Sequence, residues 1–305
     1  GLTMLGDSRV ENLKRMKDLP GEKWLIRPPM LSEAAATARF ADAALYSEWE
    51  VIQAVAEQAY RMGRQHKVIL MADLGDIREG YVDYEELLRV AARVESLPAA
   101  TLYGLGVNLT CFSFIQPDTE KLKQLARLAQ KAGEAAEHPL QIVSGGNSAT
   151  LDLMLRGGIP AGVNDLRLGE GLLFGRERAK YQYLPGTFQD VFTLECEIVE
   201  LKEKPSLPWG QVGVDSYGHK PEFVDRGPKR LKAVCALGKQ DFDPETTWPE
   251  DPDVLILGAS SDHLMLDVTD SRQEYRVGGT VRLRLGYFST MRAFTSDYVE
   301  KVYLD

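Results

Sequence analysis

The chain has 305 residues, of which 44% are hydrophobic and 27% charged, and its formal net charge is −9. This is the composition of a globular protein large enough for two domains, and the acidic balance argues against nucleic acid and anionic membranes as partners. No apolar run is long enough for a membrane span. Three widely spaced cysteines fit reduced thiols in a cytoplasmic protein. The four histidines do not cluster, which argues against a zinc site.

Residues 1–187 alternate short apolar runs with amphipathic segments of helical periodicity. Seven of the runs predict strands: residues 2–6, 23–29, 43–47, 66–75, 100–109, 140–146 and 166–175. Strands that alternate with helices predict a parallel sheet, either closed as a (β/α)8 barrel or open and doubly wound. A barrel has eight strands and this series opens on a strand, so we expect the first βα unit to precede Gly1.

The pattern changes in residues 188–305. Apolar and polar residues alternate there, and Gly, Pro and Asp separate the runs at 190–205, 229–238, 253–270 and 279–288. Such alternation is typical of an antiparallel sheet with one buried face. The predicted fold class is therefore α/β, with a TIM-type barrel in residues 1–187 and a C-terminal antiparallel β domain in residues 188–305.

Polar residues follow the later strands of the predicted barrel, at the ends where barrels bind their ligands. They are Asp73, Asp76, Arg78 and Gly80 after the fourth strand, Asn108 after the fifth, Asn147 and Ser148 after the sixth, and Arg167, Gly169 and Glu170 at the seventh. Their shared location predicts a ligand site at this end.

Two Gly-rich segments, residues 144–148 and 167–171, end neighbouring strands and could form a phosphate cup of backbone amides. The first could equally be an N-capped turn without a ligand. Arg167 lies in an apolar strand, and a buried guanidinium needs a partner, so an ion pair with Asp165 or Glu170 is an alternative.

Two other candidates also have structural alternatives. Arg78 could pair with Asp76 at the start of a helix, and Asn108 could simply satisfy a turn.

Six segments together resemble the fold type III family of pyridoxal-phosphate enzymes, and more narrowly its alanine/ornithine racemase group. They are "LGDSRVENLKRM" (5–16), "VILMADLGDIREG" (68–80), "GLGVNLTCF" (104–112), "VSGGNSATL" (143–151), "NDLRLGEGLLFGRE" (164–177) and "LGASSDHLMLDVTD" (257–270). The likeness runs through both predicted domains. It implies a barrel with a C-terminal β domain, bound pyridoxal 5′-phosphate and usually a homodimer.

The resemblance also implies roles for individual residues around the cofactor. By this resemblance, Ser148 and the amides near Asn147, Gly169 and Glu170 bind the phosphate, and Tyr287 makes a further contact with it. Arg167 faces the pyridine nitrogen, and Asn108 packs behind the ring. Arg78 lies near the substrate carboxylate and the phenolic oxygen of the cofactor. A guanidinium keeps its proton, so the ring nitrogen opposite Arg167 is expected to stay unprotonated. The cofactor is then a weaker electron sink.

Racemisation needs a base on each face of the cofactor. In related alanine racemases these are the Schiff-base lysine and a tyrosine from the partner's β domain, and here Tyr217 is the nearest match to that tyrosine. Tyr217 could instead be a loop tyrosine packed at a dimer interface.

The Schiff-base lysine is expected before Gly1, because no lysine of this sequence stands in its place. Lys67 begins a strand at the opposite end of the barrel, and Lys14 and Lys17 lie on a helix surface. The chain as given is therefore expected to be nearly inactive, or to bind the cofactor noncovalently.

The predicted function is that of a pyridoxal-phosphate-dependent racemase acting on ornithine or another basic amino acid. Asp7, Glu170 and Asp262 are candidates for binding the substrate's cationic side chain. Alternatives are a racemase for alanine or of broad specificity, a lyase or decarboxylase, and a noncatalytic protein of cofactor homeostasis. The last are typically lone barrels, so the β domain argues against that reading.

Overall fold

A computed structural model describes residues 2–214 and 218–304 of the chain, which divides into two units, residues 1–187 and 188–305. The first unit contains a seven-stranded parallel sheet. Its strands are β1 (Met4–Asp7), β2 (Glu22–Leu25), β3 (Ala43–Tyr46), β4 (His66–Met71), β5 (Ala100–Gly106), β6 (Ile142–Asn147) and β7 (Asp165–Arg167). They lie side by side in chain order, and each pairs in parallel with the next.

This strand order decides between the two predicted forms of the sheet. A doubly wound sheet reverses its strand order at a switch point, whereas the wall of a barrel keeps one direction throughout. The observed order keeps one direction, so the predicted TIM-type barrel fold is confirmed.

Seven helices occupy the connections and the end of this unit. They are α1 (Val10–Arg15), α2 (Ala34–Phe40), α3 (Trp49–Arg61), α4 (Tyr84–Val94), α5 (Thr119–Ala135), α6 (Leu151–Leu155) and α7 (Glu170–Leu173). Two aspartates cap the beginnings of α4 and α5: Asp83 accepts from the amides of Glu85 and Glu86 at α4, and Asp118 accepts from the amide of Lys121 at α5.

The central strands β3 to β6 are largely buried on both faces, whereas β1 and β7 are only partly buried. In β3, Ala43 and Leu45 belong to a small cluster with Trp24 of β2, while the alternating residues Ala44 and Tyr46 belong to the large cluster shared with the helices. Side chains alternate between the two faces of a strand. The small cluster therefore lies on the face of the sheet that is turned away from the helices, and the large cluster lies between the sheet and the helices.

A buried pair in the large cluster makes the stability of this unit depend on pH. The Tyr46 hydroxyl and His66 Nε2 lie 2.7 Å apart, and both residues are 1% exposed. Burial lowers the pKa of His66 from its usual 6.5 to about 4. The folded state therefore holds a neutral imidazole, while the unfolded chain takes up a proton below about pH 6.5.

We expect the free energy of unfolding to fall between pH 6.5 and pH 4, by about 3 kcal/mol in all, because one pKa unit corresponds to about 1.4 kcal/mol. Urea titrations across this range check the prediction. The variant His66→Gln keeps a hydrogen-bonding partner for Tyr46 and should lose most of this dependence. Equal pH dependence in both proteins would contradict it.

The second unit contains an antiparallel sheet of six strands in the order β10-β13-β8-β9-β12-β11. The strands are β8 (Thr193–Lys204), β9 (Arg230–Cys235), β10 (Thr247–Pro249), β11 (Leu255–Ala259), β12 (Leu264–Asp267) and β13 (Thr280–Leu285), followed by helix α8 (Tyr287–Thr295). The predicted antiparallel β domain is confirmed.

Three predicted runs differ from the structure, and one of them, residues 253–270, contains two strands, β11 and β12. Residues 166–175 are not one strand: β7 ends at Arg167, and α7 occupies Glu170–Leu173. Periodicity alone does not separate a short buried strand from a short helix, and Gly169 marks the break. Residues 279–288 also divide, because β13 ends at Leu285 and a helix begins at Tyr287.

None of the helices within residues 2–214 and 218–304 is long and apolar enough to cross a membrane.

Candidate active site

The loops that follow β4 to β7 leave the sheet at one edge, because all these strands run in parallel. Strand pairing sets Gly106 of β5 opposite Ser144 of β6, and Asn147 of β6 opposite Arg167 of β7. These registers bring the polar residues at the strand ends into one cluster.

Arg167 is the centre of this cluster. Its Nη2 donates to Asn108 Oδ1 and to the Val107 carbonyl, each at 2.7 Å, and its Nη1 donates to the hydroxyl of Ser144. Ser144 donates in turn to the carboxylate of Asp165. The ion pair of Arg167 with Asp165 that the sequence left open is therefore wrong as a direct contact, since Ser144 lies between the two charges.

The surroundings of Arg167 leave it a charged donor. Burial lowers the pKa of its guanidinium, while the carboxylates of Asp165 and Glu79 act in the opposite direction. A guanidinium nevertheless stays protonated in proteins. Gly106 provides room for it, because a Cβ there would lie 3.4 Å from Arg167 Nη1 and 3.1 Å from Met71 Sδ. Arg167 can therefore only donate hydrogen bonds, so the ligand atom that it binds must be an acceptor.

Arg78 joins the cluster through its neighbour in sequence. Its Nε and Nη2 both donate to the carboxylate of Glu79, and Glu79 also accepts from Asn108 Nδ2. The pairing of Arg78 with Asp76 considered from the sequence is wrong, because the carboxylate of Asp76 has other partners. The Glu79 carboxylate raises the pKa of Arg78.

Asp76 organises the loop that follows β5. Its buried carboxylate accepts from four backbone amides, those of Cys111, Phe112, Ser113 and Ile115, at 2.9 to 3.4 Å. Asp76 is 1% exposed, and an unpaired buried carboxylate would be costly. This aspartate is therefore a structural anchor of the site's wall.

Asn147 and Ser148 form the end of β6. Asn147 Nδ2 donates to the Leu109 carbonyl at 3.0 Å and to Cys111 Sγ at 3.2 Å. Ser148 is 4% exposed, and its Oγ accepts from the amide of Gly171 at 2.9 Å and, more weakly, from that of Gly169 at 3.4 Å. The Gly-rich ends of β6 and β7 therefore meet.

The carboxylate of Glu170 has partners other than Arg167. Glu170 Oε1 accepts from Arg176 Nη2 at 2.6 Å and Nε at 3.2 Å, and Glu170 Oε2 lies 3.7 Å from Arg178 Nε. Its carboxylate is thus paired with two arginines. The alternative that Glu170 pairs with Arg167 is wrong, and Glu170 is a poor candidate for a cationic substrate.

These residues fit pyridoxal 5′-phosphate at both of its ends. Among the described residues, the Ser148 hydroxyl accepts two bonds and donates none, which leaves its proton for a phosphate oxygen. A Cβ on Gly169 would meet nothing within 4 Å, so the backbone there borders open space. Arg167 offers a donor, and the unprotonated pyridine nitrogen is an acceptor.

Three predicted residues belong to residues 188–305, and their roles at the site stay predictions. Tyr287 begins α8 in the second unit and is 44% exposed. Tyr217 lies outside the described residues. Asp262 belongs to the second unit and accepts from Gln240 and Ser261.

Three residues of the cluster were missed by reasoning from the sequence: Glu79, Ser144 and Cys111. Glu79 directly follows Arg78, and Ser144 is the first residue of the Gly-rich end of β6. Their positions at strand ends were the available signal, but a serine there is common in ordinary turns.

Comparison with known proteins identifies relatives over nearly the whole chain. Residues 3–177 match the family of alanine racemase N-terminal domains. The chain is 43% identical over 295 residues to an ornithine racemase of Acetoanaerobium sticklandii, covering 97% of this chain and 83% of that protein. It is 39% identical over 305 residues to a lysine racemase of Thermotoga maritima, covering 99% and 84%.

Solved structures share the fold at lower identity. An alanine racemase of Clostridium difficile 630 superposes with a TM-score of 0.65 at 17% identity, over 93% of this chain and 73% of that one. A D-threonine aldolase from Filomicrobium marinum gives 0.68 at 15%, over 96% and 76%. The alanine racemase of Bartonella henselae, with covalently bound pyridoxal phosphate, gives 0.64 at 15%, over 95% and 77%.

Proposed function

The chain belongs to the alanine racemase family of pyridoxal-phosphate-dependent enzymes, and from this premise we propose that it racemises a basic amino acid, with ornithine preferred. The observation that carries the proposal is the Arg167 cluster at the carboxyl ends of β5 to β7, beside the unused donor of Ser148. When bound there, pyridoxal phosphate supplies an electron-withdrawing ring that acidifies the Cα–H of an amino acid.

Different residues of the chain would bind different groups of such a ligand. Ser148 would donate to the phosphate, and Arg167 would donate to the ring nitrogen without giving up its proton. Asn108, 8% exposed, accepts from Arg167 and donates to Glu79, which keeps its amide in one orientation. Arg78 is 43% exposed at its side chain and can meet the carboxylate of a substrate.

The substrate class is proposed from the names of two relatives, an ornithine racemase and a lysine racemase, whose substrates both carry a cationic side chain. Of the three carboxylates considered, Glu170 is paired with arginines, and Asp262 accepts from the neutral donors of Gln240 and Ser261. Asp7, at the carboxyl end of β1, accepts only from the Arg9 amide and Asn12 Nδ2 among the described residues. It is therefore the candidate partner of the substrate's ammonium group.

The test is a chiral assay with L-ornithine, L-lysine and L-alanine in D2O, with pyridoxal phosphate added, on the complete product of the gene that encodes this sequence. We expect the D-enantiomer of ornithine to appear with one deuterium at Cα, at constant total amino acid. Loss of amino acid without a D-enantiomer would indicate a lyase or decarboxylase and overturn the proposal. Preference for alanine would overturn the substrate class.

No lysine of the first unit, among the described residues, is hydrogen-bonded to a side chain of the Arg167 cluster. Lys23 and Lys67 are at the amino ends of β2 and β4, Lys67 donating to Glu22; Lys121 donates to the Leu74 carbonyl, Lys123 to Glu120 and Lys180 to Asp152, and Lys14, Lys17 and Lys131 are exposed. We infer that none of these eight supplies a covalent link to the cofactor.

Noncovalent binding by this chain is therefore expected. After incubation with pyridoxal phosphate and reduction with borohydride, the intact mass should stay that of the free chain, although binding is detected before reduction. Peptide mapping controls for scattered surface labelling. A single modified lysine among these eight would contradict the inference. The dimer and the proton-transfer role of Tyr217 stay predictions.

A further inference from the structure

One carboxylate joins two arginines of the candidate site. Glu79 accepts from Arg78 through Nε and through Nη2, the latter at 2.6 Å, and it accepts from Asn108 Nδ2 as well. The other end of the same amide, Asn108 Oδ1, accepts from Arg167 Nη2 at 2.7 Å. A continuous path of hydrogen bonds thus runs from Arg78 to Arg167, with Glu79 as its anion.

This arrangement is more than a surface ion pair between neighbours in sequence. Such exposed pairs are flexible and contribute little to stability. The Glu79 side chain is only 13% exposed, and its second partner, Asn108, is 29 positions away in sequence and 8% exposed. Glu79 therefore connects the loop after β4 to the end of β5, and through Asn108 it reaches β7.

We propose that Glu79 is a positioning residue of this site: its carboxylate fixes the guanidinium of Arg78 and, through Asn108, that of Arg167, so that both face one ligand. The inference rests on the proposed function, which supplies the ligand. A carboxylate can only accept hydrogen bonds, so Asn108 must turn its Nδ2 toward Glu79 and its oxygen toward Arg167.

Loss of the charge should disturb this order without removing bulk. In Glu79→Gln, one of the two side-chain oxygens becomes an NH2 group, which opposes a donor of Arg78 or of Asn108. The asparagine amide can then turn over, and Arg167 loses an acceptor. The affinity for a ligand that is bound through its ring nitrogen should therefore fall, whereas the affinity for a ligand bound only near Ser148 should stay the same.

The experiment measures two ligands on the wild type, Glu79→Gln and Glu79→Asp. The first is 4′-deoxypyridoxine 5′-phosphate, which has the ring nitrogen and phosphate but no aldehyde, so it needs no lysine. The second is inorganic phosphate, measured by its competition with the first. We expect Glu79→Gln to weaken the ring ligand about tenfold, the scale of one charge-assisted hydrogen bond, and to leave phosphate unchanged. Glu79→Asp keeps the charge and should be intermediate.

A matched control is Glu85→Gln, an exposed carboxylate in the first turn of α4, which should behave as the wild type. If the wild type fails to bind the ring ligand, the proposed function falls and this inference with it. If the wild type binds and Glu79→Gln binds equally well, only the inference falls. Equal weakening of both ligands would show a general disturbance and would also overturn it.

Discussion

Replacing Arg167 with lysine should weaken binding of 4′-deoxypyridoxine 5′-phosphate about 100-fold. Lysine keeps the positive charge but lacks the planar fork with which Arg167 reaches Asn108 Oδ1, the Val107 carbonyl and the Ser144 hydroxyl together. Its ammonium group also gives up a proton more readily than a guanidinium, which alters the charge balance opposite the ring nitrogen.

The fold should also lose stability in this variant, by about 2 kcal/mol, because buried acceptors at Val107 and Asn108 lose their donor. Fluorescence titration gives the affinity, and urea denaturation gives the free energy of unfolding. Arg61→Lys is the control, since Arg61 forms an exposed pair with Glu57 on α3. Wild-type affinity in Arg167→Lys would rule out a role of Arg167 at the ring.

The second large effect is expected at Asp76, where Asn should lower the free energy of unfolding by about 3 kcal/mol. The carboxylate accepts from four amides of residues 111–115, two on each oxygen. In Asp76→Asn one oxygen becomes an NH2 group, which faces amide donors in a buried place where water does not compensate.

Asp83→Ala provides the comparison for Asp76→Asn. Asp83 caps α4 at the surface, and the loss of such a cap costs about 1 kcal/mol. Hydrogen exchange adds a local readout, because the amides of Cys111 and Phe112 should exchange faster in Asp76→Asn than in the control. Equal stability of the two variants would mean that Asp76 does not anchor the loop.

The barrel could be predicted from the sequence because its central strands are buried on both faces and alternate with helices of clear periodicity. Parallel strands end at one edge, so the proximity of the ends of β5, β6 and β7 follows from topology alone. Short elements were less predictable. Residues 170–173 form one helical turn inside an apolar run, and the helix from Tyr287 follows β13 almost directly.

The choice of partners within the site could not be predicted. Arg167 had Asp165 and Glu170 as nearby anions, yet Ser144 intervenes at the first and two arginines occupy the second. Glu79 meets Asn108 across 29 positions. Such contacts depend on the strand register and on the path of the loops. Neither can be deduced from the residue types and spacing of a single sequence.

The most direct test compares the binding of pyridoxal 5′-phosphate and of pyridoxal to the same chain by absorbance titration. In the proposed site Ser148 binds the phosphate and Arg167 binds the ring nitrogen of one ligand. We therefore expect saturable binding of pyridoxal phosphate, with pyridoxal at least about 100-fold weaker, since pyridoxal lacks the charged group. Equal affinity for the two compounds, or no binding of either, would contradict this expectation.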